Sequence, residues 1–322
     1  MFNPKDMIDI IAGNVKATKN PFGIPKWLVN RWHKGQRLPR RGDAMLFTGM
    51  MYQLIPYIEK TSAYLTRFEN TVLAGYIRYA RYIPGYLSGI GLSMLTAGEE
   101  KKNSNRILQD IVHILQASNV DFFYRPDLDN YSGVLLYDLG DQQNFIAHAR
   151  RVAAALQQAG IRKLITVDPH TTYALKVLFP KYVDAHFEVE TYFERIHFNS
   201  SNGHRRITLH DPCFYGRYLS LSDEPRKKLS KLGIETVLPE NNGVFTHCCG
   251  GPAESISPQL AGEVGDRRVA ELKAAGEPIV AMCPICIGNL KKCGAEVQDL
   301  SHIIAACIGN NPGGTSGRHT HP

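Results

Sequence analysis

No stretch of this 322-residue sequence is apolar for long enough to cross a bilayer, and Met1 to Asn30 contains nothing like the apolar core of a secretory signal. Those two absences point to a reducing, cytoplasmic setting, which argues against a disulfide framework for its seven cysteines. Haem and flavin motifs are missing as well. Acidic residues are scarce at the start. Residues 1–41 hold nine lysines and arginines against Asp6 and Asp9, which equals the whole chain's formal charge of +7, so the remainder is neutral. This basic N-terminal arm, residues 1–42, lacks any nucleic-acid-binding motif and is broken by Pro21, Pro25 and Pro39, so no nucleic acid is expected as a partner. Tryptophan is rare, and both copies, Trp27 and Trp32, lie in the arm beside cations. Such aromatics on a poorly structured extension suit either a docking partner or the chain's own body.

What the chain does have is a concentration of thiols. Five of the seven cysteines fall between Cys213 and Cys286, in the runs His210-Asp211-Pro212-Cys213, Thr246-His247-Cys248-Cys249-Gly250-Gly251-Pro252 and Met282-Cys283-Pro284-Ile285-Cys286. Thiolates are the soft ligands of zinc and of iron–sulfur clusters, and Cys-x-x-Cys lets two sulfurs from one turn reach the same centre. A vicinal Cys-Cys pair needs a bend such as Gly-Gly-Pro to bring both sulfurs onto one site. Five thiolates exceed the four of a zinc site or an ordinary cubane. Four of them on a zinc ion is the alternative, and a thioredoxin-like dithiol at Cys283 and Cys286 would leave three cysteines unexplained. Cys293 and Cys307 lie outside the pattern and read as packing residues.

The arrangement C-x34-CC-G-G-P-x30-C-P-x-C resembles the cysteine-rich CCG domain of the heterodisulfide reductase catalytic subunit and its relatives, the sulfur-oxidising heterodisulfide-reductase-like complexes among them. The resemblance implies a non-cubane [4Fe-4S] cluster held by Cys213, Cys248, Cys249, Cys283 and Cys286. It also implies an oxidoreductase acting on disulfide, thiol or carrier-bound sulfur, with electrons exchanged through a ferredoxin-like iron–sulfur subunit of a complex. Segments like Asn20-Pro21-Phe22-Gly23 recur beside ferredoxin-type modules in such systems, which suits a docking role for the arm. His247, next to Cys248, is the candidate for passing a proton to a substrate sulfur, and His210, Asp211 and Glu254 are further polar groups behind the cysteines. The alternative within the same resemblance is an electron-relay or scaffold subunit without chemistry of its own.

The chain also repeats itself. Arg150-Arg151-Val152 matches Arg267-Arg268-Val269 at an offset of 117, and Tyr131-Ser132-Gly133 falls on Cys248-Cys249-Gly250 at the same offset. After a two-residue gap, Asp168-Pro169-His170-Thr171 falls on Cys283-Pro284-Ile285-Cys286. Where the second half has its five cysteines, the first has Met50, Tyr131, Ser132, Asp168 and Thr171, so one cluster is expected rather than the two that the family's pattern allows. Asp168 before Pro169 reads as a helix cap, and Asp168, His170 and Tyr131 could alternatively supply acid–base groups.

Apolar β-type runs at residues 44–48, 164–167, 206–210 and 279–282, with helical periodicity at 145–159 and 260–275, predict an α/β fold of two pseudo-symmetric Rossmann-like units from an internal duplication. Cysteines at strand ends fit the place where open α/β sheets hold ligands. The expected organisation is a degenerate first CCG-like domain at 43–200, a cysteine-complete domain at 201–308 and a disordered Gly/Pro/Ser/His tail at 309–322. An insertion at about 67–115 carries Tyr76, Tyr79, Tyr82 and Tyr86 at helical spacing, which reads as an amphipathic core hairpin or a partner-binding element.

Overall fold

The computed structural model describes residues 3–68, 71, 79, 82–198, 205–255 and 257–308. Two four-stranded parallel sheets form its frame. The first joins β1 (Ala44–Phe47), β2 (Phe122–Phe123), β3 (Lys163–Thr166) and β4 (Glu188–Thr191) in the order β2-β1-β3-β4. The second joins β5 (Arg205–His210), β6 (Ile234–Val237), β7 (Ile279–Ala281) and β8 (Val297–Asp299) in the order β6-β5-β7-β8. The two orders are the same. Central strands β1 and β7 are buried at every position, as parallel strands covered by helices on both faces must be.

Each sheet's central strands end in the segments that carry the matched motifs. β1 runs into Gly49-Met50 and the helix Met51–Phe68, while β5 runs into Asp211-Pro212-Cys213 and the wide helical turn Phe214–Tyr218. Behind β3, Asp168 caps the helix Pro169–Tyr173 by accepting the N–H groups of His170 and Thr171 at 2.9 and 3.0 Å. Cys283 holds the matching cap position before the helix Pro284–Lys292. Gly133 and Gly250 share one left-handed conformation, with φ of 89° and 88°.

The basic N-terminal segment is folded, in contrast to the extension its prolines suggest. Asn3 caps the helix Pro4–Thr18, whose Met7, Ile11 and Val15 recur on one buried face. Asn20 then gathers the turn at Pro21–Ile24 through its side-chain oxygen, which accepts the N–H groups of Phe22 at 3.1 Å and Ile24 at 3.2 Å. Trp32 is buried against Tyr124, with ring centroids 4.8 Å apart, so only Trp27 stands in solvent. Of the insertion, the helices Gly85–Leu95 and Gly98–Ala117 are described, and the latter places Leu108, Ile111 and Leu115 in the core. Tyr79, Tyr82 and Tyr86 are exposed, which removes the core-hairpin reading at those positions; Tyr76 and residues 309–322 lie outside the described residues.

One hydrophobic cluster spans both sheets, bringing Tyr52, Leu108 and Ile165 together with Leu209, Val280 and Leu290. Across that joint the Tyr52 hydroxyl donates to Asp299 at 2.7 Å, both groups being buried. The two units therefore share a core, and the carboxyl end of β7 faces the first unit.

Candidate metal centre

The loop carrying Cys248 is clamped from several sides. Asp211, fully buried, accepts the Gly243 N–H at 2.7 Å and pairs with Arg226, and Thr246 donates its hydroxyl to the Asp211 carbonyl at 2.8 Å. Arg268, fully buried on the helix Pro258–Ala275, donates to His210 Nδ1 at 3.1 Å, to the Asn241 carbonyl at 2.9 Å and to Glu271 at 2.7 Å. Beyond the cysteine pair, Gly250 turns the chain so tightly that a Cβ there would sit 2.3 Å from the Ala261 carbonyl oxygen. Asn289 reaches back to the Cys249 carbonyl at 2.9 Å and ties this loop to the helix Pro284–Lys292.

These constraints bring all five cysteines of the pattern together. Cys213 contacts Cys248, Cys248 contacts Cys249, Cys249 contacts Cys286, and Cys286 contacts Cys283. None is in a disulfide. Cys249, Cys283 and Cys286 are buried; Cys213 and Cys248 are half-buried. Cys293 and Cys307 do not join the chain of contacts.

The electrostatics separate the five thiols. The Cys248 thiol is held well below the usual thiol value, first by its contact with Cys213, then by that with Cys249, with help from the Gly250 N–H at 3.4 Å and Arg217. Cys213 is pushed up by the same contact, Cys249 by its contact with Cys248, and Cys286 by those with Cys249 and Cys283. Burial works to raise Cys283, yet its contact with Cys286 and the imidazole of His170 brings it down to about 6. Cys283 caps the helix Pro284–Lys292 and Cys286 lies in its first turn, where backbone N–H groups favour negative charge.

The donor set suits a polynuclear iron–sulfur centre. It offers five soft sulfurs, free of disulfide bonding, at two strand ends and a facing loop, beside a helix N-terminus. The sulfurs are strung pairwise, and among the described residues no three His, Cys, Asp or Glu side chains stand as a ready ligand set for a single metal ion. Iron would take the place of the thiol–thiol contacts.

The other residues singled out by the sequence fall in several places. His247 is mostly exposed and pairs through Nδ1 with Glu271 at 3.1 Å, on the outer side of the loop. His210 is fully buried behind Cys248 and lowered to about 3, by burial first and the Arg268 charge second. Glu254 is buried and bound to Lys292 at 2.9 Å and to the Ser62 hydroxyl. In the first unit, Tyr131 is buried and its hydroxyl accepts the Leu135 N–H at 2.8 Å, while the hydroxyls of Ser132 and Thr171 are buried without partners. Met50 is buried in the left-handed conformation at φ 59°.

His170 is the residue whose target the sequence did not reveal. Its Nδ1 lies 3.8 Å from Cys283 Sγ and 3.7 Å from Asp168 Oδ1, and its ring meets Phe214 edge-on at 4.7 Å. The negative charges at Cys283 and Asp168 overcome the effect of burial and raise its pKa well above the usual histidine value. The same ring lines a cavity of about 70 Å³ walled by Phe22, Leu54, Tyr131, Leu135 and Ile285. Gly251 also borders this cavity, and a Cβ on it would lie 3.5 Å from Cys249 Sγ; no cysteine is among the lining residues. A larger groove of about 890 Å³ is lined by Glu59, Arg106, Asp110, Lys291 and His302, with Ile287 of the Cys283–Cys286 helix at its edge.

Residues 207–291 match the cysteine-rich domain known as CCG. Over 238 residues, 67% of this chain and 36% of the relative, the sequence is 29% identical to a probable membrane-anchored ferredoxin of Chromohalobacter salexigens. It is 28% identical over 185 residues to one subunit of the dihydromethanophenazine:CoB–CoM heterodisulfide reductase of Methanosarcina barkeri, covering 50% of this chain and 44% of that polypeptide. A probable iron–sulfur-binding oxidoreductase of Bacillus subtilis is 26% identical over 219 residues, 64% of this chain and 30% of that protein. The chain thus spans between about a third and less than half of the length of these relatives.

Proposed function

We propose that this CCG-domain protein, a relative of a heterodisulfide reductase subunit and of other iron–sulfur oxidoreductases, is an iron–sulfur redox subunit acting on sulfur within a larger complex. The observation that carries the reading is the unbroken run of contacts linking Cys213, Cys248, Cys249, Cys286 and Cys283, with a small cavity nearby that His170, Gly251 and Ile285 line. Those five residues would hold one [4Fe-4S] cluster, of the non-cubane kind that five ligands allow. When bound, such a cluster supplies one-electron steps and iron sites able to take up sulfur.

The chain's own residues supply the rest. Phe22, Leu54, Leu135 and Ile285 exclude water from the cavity, which suits the sulfur end of a disulfide, a thiol or a carrier-bound persulfide. His170 and Asp138, whose carboxyl burial raises to about 6, are polar groups of the cavity wall able to hold a proton there; His247 faces away and serves the loop through Glu271. The first unit has no thiolate at the matching positions, so one cluster per chain is the reading. The repeated strand order and the paired glycines support an internal duplication as its origin. No helix of the described residues is long and apolar enough to cross a membrane, and electrons would come through a ferredoxin-like partner. Exposed Trp27 and the apolar side chains of Ile83, Leu87, Met94 and Leu95 offer surface for such docking.

Electron relay without chemistry on sulfur is the second reading, favoured by the small volume of the cavity and by the absence of any cysteine from its lining. Electron paramagnetic resonance of anaerobically oxidised protein, with and without added small thiols, separates the two. A thiol-dependent signal is the expected result; a spectrum indifferent to every thiol tried would leave the relay reading.

A further inference from the structure

The first unit has lost all five cysteines, yet its matching segment is still pressed against the second unit's site. Asp168 and His170 lie on the turn after β3, and Cys283 lies on the turn after β7, 113 residues further along. Three features hold the imidazole in place. Asp168 Oδ1 fixes the helix turn by accepting two backbone N–H groups, and it stands 3.7 Å from His170 Nδ1. Phe214, which follows Cys213 directly, packs edge-on against the ring at 4.7 Å. Burial leaves His170 only 6% exposed, so water competes little for its ring nitrogens. Which nitrogen carries the proton is set by its neighbours, and an acidic side chain beside Nδ1 keeps it there, aimed at the sulfur 3.8 Å away.

We propose that His170 is a positioning residue of the metal centre: its Nδ1–H donates to the Cys283 sulfur, so that the cysteine-free first unit sets the reduction potential of the cluster held by the second. The proposal rests on the function given above. A donor to a ligand sulfur withdraws electron density and stabilises the reduced cluster, which carries the more negative charge, so the bond raises the potential. Asp168 is needed less as an acid than as the group that caps the turn and orients the ring. The first unit's site has thus become a support for its neighbour.

The test is a spectroscopically monitored redox titration at one pH of anaerobically loaded protein, with iron and sulfide assayed in the same samples. His170→Phe and His170→Met both remove the donor, so that failure of one to load leaves the other to be read; His170→Gln keeps an N–H. At wild-type iron content, the donor-free variants are expected to shift to more negative midpoints, with His170→Gln closer to wild type. Midpoints unchanged in the donor-free variants, or a glutamine variant shifted as far as they are, would overturn the proposal and leave His170 as a packing residue. A wild-type protein without iron and sulfide would overturn the function itself and this inference with it, an outcome distinct from a loaded protein indifferent to residue 170.

Discussion

His148 shows how much a single buried group can reveal about the first, cysteine-free unit. It is buried, its Nε2 bonds the Tyr131 carbonyl at 2.7 Å, and burial, outweighing that bond, lowers its pKa from 6.5 to about 4. The unfolded chain therefore takes up a proton near pH 6.5 that the folded chain refuses until about pH 4, so stability is full above 6.5 and falls as pH drops through that window. The loss is up to about 3 kcal/mol. Denaturant unfolding at pH 7 and pH 4.5 should show it in wild type and show a shallower loss in His148→Gln; equal slopes would remove His148 as the cause. At this scale the five cysteines were legible, because their spacing alone marks them. The role of Arg268 was not: it stands in a repeat match with Arg151, yet one is fully buried and the other exposed, and nothing in Arg-Arg-Val tells which. His170 was visible as a polar group, but its partner lies across the joint between units, and local patterns carry no such information.

Among the elements, the central strands were the readable ones. β1, β3, β5 and β7 are apolar runs with three or more buried residues each, and they were expected at residues 44–48, 164–167, 206–210 and 279–282. The edge strands β2, β4, β6 and β8 went unread, because they are two to four residues long and most mix buried with exposed positions. The tyrosines of the insertion misled for the opposite reason: aromatic side chains at helical spacing usually mark a core, and here the described ones face solvent. The turn after Cys249 is the element with the least room for change beside the five cysteines. Gly250 holds φ 88° with the Ala261 carbonyl where a Cβ would go, so Gly250→Ala must both strain the backbone and push the helix Pro258–Ala275 away. A cost of at least about 1–2 kcal/mol is expected from the left-handed conformation alone. Iron content after reconstitution should fall well below wild type in this variant. Full loading with an unchanged melting temperature would show that the turn does not position the cysteines.

At the scale of the whole molecule, the two sheets share one core and one buried Tyr52–Asp299 bond, and they differ in what they keep. The second keeps five thiols at the ends of its central strands and the loop between them. The first has the same strand order, a left-handed glycine at 133 and a capped helix after β3, with Met50, Tyr131, Ser132, Asp168 and Thr171 at the positions matched to those cysteines. The account therefore requires a single iron–sulfur centre in a two-unit body. Metal and acid-labile sulfide analysis of anaerobically purified protein tests this most directly. About four irons with a matching amount of sulfide per chain is the predicted result, lost when Cys249 is replaced by serine. Zinc without sulfide would contradict the redox reading, and about eight irons would show that the first unit holds a cluster after all.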